Sequence, residues 1–333
     1  MEPIVDLMEM LAAKAKKNIH TIVFPEGSDP AIQEAALKLA ADGLVKPVLL
    51  GDIKEVQQNL NAGSEHGAEL EMIDPDGSPL LAEYVERYCE ERDMPQSVGQ
   101  RVMSQPLCFA AMMVKTGQAH GMVAGIAHPT EEVIMASELI IGLEPGISLV
   151  SSFFLMEVPG FQGGQEGRLI FADPAVNPDP NTKQLADIAL STAQSARSLL
   201  GWEPRVAMLS FSTLGSAGHP LVDKIVEATA LAREKDPALL IEGEIQADAA
   251  LVQAVAQKKM GADSAVAGRA NILIFPDLNA ANISAKLVQR LAGAISYGPV
   301  LQGFALPVSD LSRGATVDDV IGAALMVAAR ERS

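Results

Sequence analysis

The sequence predicts an α/β chain of two domains with mostly parallel sheets, and three observations carry that prediction. Short β-rich runs alternate with helical patterns from end to end, as parallel strands joined by crossover helices do. The length of 333 residues exceeds what one core usually fills, which points to two units of about 150 residues each. Hydrophobic residues make up 48% of the chain and charged ones 20%, enough apolar surface for large cores and no sign of a disordered polar tract.

The first strand falls at His20–Pro25, and the helix after it, Pro30–Leu44, is punctuated at both ends. Asp29 is its N-cap, Pro30 suits a first turn whose N–H would be unpaired anyway, and Gly43 sits just past the end. Ile32, Ala35, Ala36 and Leu39 recur at helical spacing and form its expected buried face. A strand at Pro47–Leu50 follows, and later strands are expected at Gly121–Ala124, Arg168–Ala172, Arg205–Phe211, Leu239–Glu242 and Asn271–Phe275. Between them lie helices such as Asn181–Leu200 and Leu221–Lys235. The glycine cluster Gly160–Gly167 lacks the Gly-x-Gly-x-x-Gly spacing and precedes a strand instead of a helix. It therefore reads as a hairpin loop, not a dinucleotide cradle. With no internal repeat and no low-complexity linker, the domains are expected to share long connections and to leave a ligand cleft between them.

Composition excludes several classes of function. A net charge of −17 repels polyanions, so neither nucleic acid nor an anionic membrane is an expected partner, and a phosphate ligand requires a local basic pocket. No apolar run approaches the roughly 18 residues of a membrane span. The chain opens acidic and amphipathic at Glu2, Asp6 and Glu9, unlike a signal peptide, so a cytoplasmic location is expected. Cys89 and Cys108 are far apart, with no Cys-x-x-Cys, and read as buried thiols instead of a disulfide framework. The five histidines, His20, His66, His120, His128 and His219, are scattered without helical ligand spacing. His-Glu-x-x-His, the P-loop and Gly-x-Ser-x-Gly are all missing, and Gly215-Ser216-Ala217-Gly218 only approaches the last of them.

Two stretches carry chemistry. The apolar run Val206–Leu209 leads into Ser210-Phe211-Ser212-Thr213-Leu214-Gly215-Ser216-Ala217-Gly218, ahead of a helix near Pro220. A turn of hydroxyls and glycines at a helix N-terminus presents free amides and a favourable dipole to an anion, and a capped turn without a ligand is the alternative. Near the C-terminus, Asp310-Leu311-Ser312-Arg313-Gly314-Ala315-Thr316-Val317-Asp318-Asp319 contains Thr316 as N-cap and Asp319 at N3. A capping-box variant alone explains those two residues, whereas Ser312 and Arg313 have no capping role. A hydroxyl and a fixed cation beside a carboxylate suit acyl transfer to or from phosphate.

At these residues the chain resembles the phosphate acetyltransferases. The resemblance lies in Val206–Ala217, Glu242–Ala250, Asn271–Asn279, Gly298–Gly303 and the Ser312 motif, and extends weakly to Phe24-Pro25-Glu26 and Phe171-Ala172-Asp173. It implies two three-layer αβα domains with an interdomain active-site cleft, the C-terminus returning to the first domain: residues 1–147 with 296–333, and residues 148–295. It also implies a homodimer and the reversible reaction of acetyl-CoA and phosphate to give acetyl phosphate and CoA. Coenzyme A serves there as a substrate, with no tightly bound cofactor and no metal. In the roles it implies, Asp319 deprotonates the thiol of coenzyme A, Ser312 stabilises the oxyanion and Arg313 holds the acyl phosphate. Arg290 lies near the active site and Arg92 binds coenzyme A, although either alone reads as a solvated helix charge. Ser212, Thr213, Gly215 and Ser216 are the remaining candidates for substrate or coenzyme A binding. Asp173, Asp248 and Asp277 are too dispersed in sequence to read as a metal set.

The chain departs from the family pattern at Met135, where an arginine associated with coenzyme A is usual, and at Glu131, which adds a negative charge. Met135 alternatively packs on an apolar face with Ile134 and Leu139. Ala315 replaces a frequent cysteine. Rival readings are a propionyl or butyryl phosphate transferase, a non-catalytic acyl-CoA sensor, and a two-domain, metal-dependent dehydrogenase.

Overall fold

The computed structural model describes residues 7–63, 70–261 and 263–330, and Glu2, Asp6 and His66 lie outside them. The chain divides into two compact units, Met1–Glu144 with Phe304–Ser333, and Pro145–Gly303. The first change of unit lies close to the expected Ile147. The second does not lie at Ser296, because the strand containing that residue stays in the second unit.

In the first unit, β1 (His20–Phe24), β2 (Val45–Leu50), β3 (Glu71–Ile73), β4 (Gly121–Ala124) and β11 (Val308–Asp310) form one sheet in the order β11-β4-β1-β2-β3. All of its pairings are parallel. α2 (Pro30–Ala41) connects β1 to β2, and Asp29 Oδ1 caps it by accepting from the amides of Ala31 at 2.8 Å and Ile32 at 3.2 Å. Its expected face, Ile32, Ala35, Ala36 and Leu39, is fully buried. α1 (Leu7–Lys17), α2 and α13 (Val317–Ala329) pack together, and α3 (Ile53–Gly63) lies beside α2 and β3. A second group holds α4 (Leu81–Arg92), α5 (Gln96–Met103), α6 (Pro106–Lys115) and α7 (Thr130–Ile140). α6 packs on β1 and β4 and is buried from Leu107 to Val114, as an all-round apolar helix must be.

The second unit contains β5 (Ser151–Glu157), β6 (Arg168–Ala172), α8 (Thr182–Leu200), β7 (Arg205–Leu209), α9 (Pro220–Lys235), β8 (Leu240–Ile245), α10 (Ala247–Leu251), α11 (Gln253–Met260), β9 (Ile272–Ile274), α12 (Leu278–Ala292) and β10 (Ile295–Gln302). Its sheet runs β10-β5-β6-β9-β7-β8, with antiparallel pairing at the β10-β5-β6 edge and parallel pairing elsewhere. β5 and β6 form a hairpin whose loop contains the glycine cluster. Leu169 and Phe171 of β6 join a core with residues of α10, α11 and α12, including Ala249, Ala256, Ala281 and Ala285. α8 packs on β6, β7 and β9, so the sheet lies between two helical layers. β10 is tied in by a buried polar network: Gln302 Nε2 donates to Ser151 Oγ at 3.0 Å and Thr192 Oγ1 at 2.8 Å, while Ser195 Oγ donates to Gln302 Oε1 at 3.0 Å. Both units are three-layer αβα bodies, the class expected from the sequence.

Candidate active site

In open α/β sheets, ligands collect beyond the carboxyl ends of the strands. In the first unit, the segments leaving β4 and β11 do so side by side, because Asp310 is in register with Ala124 and the amide of Leu311 donates to the Ala124 carbonyl at 2.7 Å. Beyond the buried Leu311, residues Ser312, Arg313 and Gly314 are exposed in a turn closed by the Ala315 amide donating to the Ser312 carbonyl at 2.9 Å. The Ser312 hydroxyl and Arg313 guanidinium make no hydrogen bond or ion pair with the described residues, so both are available to a ligand. Thr316 then caps α13. Asp319 Oδ2 accepts from the Thr316 amide and hydroxyl, each at 2.8 Å, and the Asp319 amide donates to Thr316 Oγ1 at 3.3 Å. The capping box is therefore real, and it engages only one carboxylate oxygen of an exposed side chain.

Arg92, at the end of α4, donates from Nη2 to the Leu139 carbonyl near the end of α7. Met135, one turn earlier on α7, is 67% exposed and does not pack on an apolar face. In the second unit, Arg290 is exposed near the end of α12 and is unpaired among the described residues.

The turn after β7 is tied to the segment that follows β8 and to β8 itself. Ser212 and Thr213 are buried. Ser212 Oγ donates to Glu244 Oε1 at 2.9 Å, and the Gly215 amide donates to the same oxygen at 2.7 Å. Thr213 Oγ1 donates to Gln246 Oε1 at 3.2 Å, and Ser216 Oγ accepts from the Thr213 amide at 3.1 Å. A buried carboxylate of the protein thus takes the donors that a ligand anion would need. The hydroxyls of Ser212 and Thr213 are engaged within the protein, while Gly215 and Ser216 are exposed.

Sequence reasoning also missed a carboxylate cradle in the first unit. Glu26, just past β1, is buried, and its carboxylate accepts from four successive amides: Gly125 at 2.9 Å, Ile126 at 3.1 Å, Ala127 at 2.8 Å and His128 at 2.9 Å. His128 Nδ1 lies 2.7 Å from Glu26 Oε1. Burial opposes ionisation of Glu26, but the bonds from the His128 side chain and the amides of Ala127 and His128 prevail and hold its carboxyl below the usual glutamate range. The Glu26 hydrogen bond, against partial desolvation, raises the His128 pKa, with the nearby charges of Glu26 and Glu132 adding to it. Asp310 is buried beside them; Thr130 Oγ1 donates to its Oδ2 at 2.5 Å, and its Oδ1 has no partner. Burial pushes its carboxyl up to about 6. The only early signal at Glu26 was its place in the weak Phe24-Pro25-Glu26 match.

The three aspartates considered for metal have other roles. Asp173 accepts from the amides of Ala175 and Val176, each at 3.1 Å, and Asn177 at 2.9 Å; Asp248 pairs with Lys259 at 2.8 Å; Asp277 caps α12. Among the described residues, no group of three or more His, Cys, Asp or Glu side chains is placed to hold a metal.

These features define an α/β protein in which the exposed candidate residues Ser312 and Arg313 lie beyond the carboxyl end of a parallel strand. Comparison with known proteins narrows the class: the signature of the phosphate acetyl/butaryl transferase family matches residues 6–328, and the chain belongs to that family. A phosphate acetyltransferase of Thermoanaerobacterium thermosaccharolyticum is 45% identical over 318 residues, covering 95% of this chain and 96% of its own length. Among solved structures, a phosphotransacetylase of Streptococcus pyogenes superposes with a TM-score of 0.91 at 39% identity, covering 97% of each chain. One from Staphylococcus aureus gives 0.90 at 39% identity, covering 97% of this chain and 98% of its own.

Proposed function

We propose that the protein is a phosphate acetyltransferase, moving an acetyl group reversibly between coenzyme A and inorganic phosphate. The observation that carries this reading is the exposed, unpaired Ser312–Arg313 pair directly ahead of the α13 cap that contains Asp319, in a chain similar along nearly its whole length to phosphate acetyltransferases.

In the proposed chemistry, the free Asp319 Oδ1 removes the thiol proton of coenzyme A, and the thiolate attacks the carbonyl carbon of acetyl phosphate in a ternary complex. A free thiol has a pKa near 8.5, so the carboxylate need only assist its ionisation. The Ser312 hydroxyl donates to the developing oxyanion, and Arg313 neutralises the departing phosphate. Arg92 binds the coenzyme, and Arg290, Gly215 and Ser216 are candidates for substrate or coenzyme binding. Coenzyme A and acetyl-CoA act as substrates, and no tightly bound cofactor or metal takes part. The described helices support a soluble protein, since none is long and apolar enough to cross a membrane. The acidic composition disfavours nucleic acid as a partner, and the cytoplasmic homodimer is the form that the family resemblance implies.

The test is thioester formation from acetyl phosphate and coenzyme A in the presence of a chelator, repeated with propionyl and butyryl phosphate. Turnover with a preference for the acetyl donor is expected. Activity abolished by chelation and restored by a divalent ion would overturn the metal-free scheme, and binding of acetyl-CoA without turnover would favour a sensor.

A further inference from the structure

The Glu26–His128 pair has no part in the chemistry assigned so far, yet it is built like an oriented functional group. An ionised carboxylate can only accept, so His128 must use Nδ1–H toward Glu26, which leaves Nε2 as the free end of the ring. The His128 side chain is 32% exposed while that of Glu26 is 3% exposed, so the carboxylate is hidden and the imidazole reaches solvent. Nε2 has no partner among the described residues. The four amides of Gly125–His128 fix the carboxylate on its other sides, so the ring orientation is set by backbone instead of by mobile side chains.

Position gives this ring its ligand class. His128 follows β4 and the Ser312–Arg313 turn follows β11, and these strands are parallel neighbours whose following segments leave the same end of the sheet. A protein of net charge −17 has no general attraction for a phosphate dianion, so local cations must supply it. The charged groups about His128 are Glu26 from the connection after β1 and Glu132 from the first turn of α7, with Asp310 at the end of β11 coupled to Glu26. Glu26 and Glu132 both favour the imidazolium, and the Glu26 carboxylate also accepts from four backbone amides.

We propose that His128 binds the phosphoryl group of acetyl phosphate and of inorganic phosphate through Nε2–H, with Glu26 as the positioning residue that fixes the ring. The proposal rests on the phosphate acetyltransferase reading, which wild-type turnover tests separately in the same assay.

The experiment measures KM for acetyl phosphate and for coenzyme A in wild type, His128→Asn and His128→Gln, with circular dichroism and thermal midpoints as checks on folding. Loss of one charge-assisted hydrogen bond should raise KM for acetyl phosphate about 10- to 150-fold and leave KM for coenzyme A within about twofold. In wild type, KM for acetyl phosphate should rise as the pH climbs past the raised pKa of His128, and both variants should lose that limb. Should neither variant fold, proton resonances of the wild-type histidine rings, followed during a titration with inorganic phosphate, decide the matter: a shift of the ring that shows contacts to the Glu26 loop supports the proposal. Folded variants with unchanged KM for acetyl phosphate, a loss shared equally by both substrates, or a wild-type ring unmoved by phosphate would overturn it.

Discussion

Asp319 combines two roles on two oxygens. Oδ2 closes the capping box with Thr316, and Oδ1 remains for the thiol. Asp319→Asn preserves a side chain able to cap but removes the base, so kcat should fall by about 10²- to 10⁴-fold with little change in KM. The same substitution should cost no more than about 1 kcal/mol of stability, the usual scale of a cap. Ser312→Ala should likewise lower kcat far more than KM, because the oxyanion exists only in the transition state. An Asp319→Asn enzyme with a reduced melting temperature and wild-type kcat would leave the carboxylate as a cap alone. At Met135, 67% exposure means that arginine can be introduced without burying a charge. Met135→Arg should lower KM for coenzyme A by about 10- to 150-fold, leave KM for acetyl phosphate nearly unchanged and leave the thermal midpoint in place. An unchanged KM for coenzyme A in the stable variant would show that this residue does not face the coenzyme.

Elements with strong local punctuation were legible in the sequence. The Asp29–Pro30 start of α2 and the Asn181 start of α8 follow from residues within one turn of the cap, and α8 begins with the full Asn181–Gln184 capping box. The β5–β6 hairpin was legible from its glycines. Long-range polar pairing was not: Glu26 meets the amides of Gly125–His128, and Glu244 meets the turn at Ser212 and Gly215, through contacts that no local pattern records. No pattern in the sequence therefore showed that the Ser212 hydroxyl pairs with Glu244 or that His128 pairs with Glu26. The close approach of the β4 and β11 loops also rests on one glycine. Gly125 has φ +113°, and a Cβ there would lie 2.3 Å from Asp310 Oδ1 and 2.6 Å from the Leu311 carbonyl. Gly125→Ala should therefore destabilise the fold by at least about 1 to 3 kcal/mol, the usual scale of such backbone strain, and lower activity through the displaced Ser312 turn. Urea midpoints alongside kcat/KM would check this, and a variant with unchanged stability and activity would show that the loops have room to separate.

Across the whole molecule, acidic groups outnumber basic ones, and two buried carboxylates in the first unit give stability opposite pH dependences. Glu26 has a folded pKa below its unfolded value, so its contribution is present above the ordinary glutamate range and is lost as the pH falls through the lower folded value. Asp310 has the opposite sign. Its folded pKa is raised from 3.8 to about 6, so its contribution is full below the unfolded value and is lost as the pH rises through about 6. At neutral pH the fold therefore holds a carboxylate with a buried, unpartnered Oδ1, at a cost on the order of 3 kcal/mol relative to ionising the same group in the unfolded chain. Asp310→Asn stays neutral at every pH and should cancel this term. Measured by urea unfolding at pH 4.5 and 7.5 (about 1.5 pH units either side of the raised value), the variant should gain stability relative to wild type at the higher pH. The gain should shrink at the lower pH, where wild-type Asp310 is largely protonated in the fold. If the difference between the two proteins is the same at both pH values, Asp310 does not titrate differently in the folded and unfolded states. The orphaned oxygen would then be stabilised by contacts independent of its protonation.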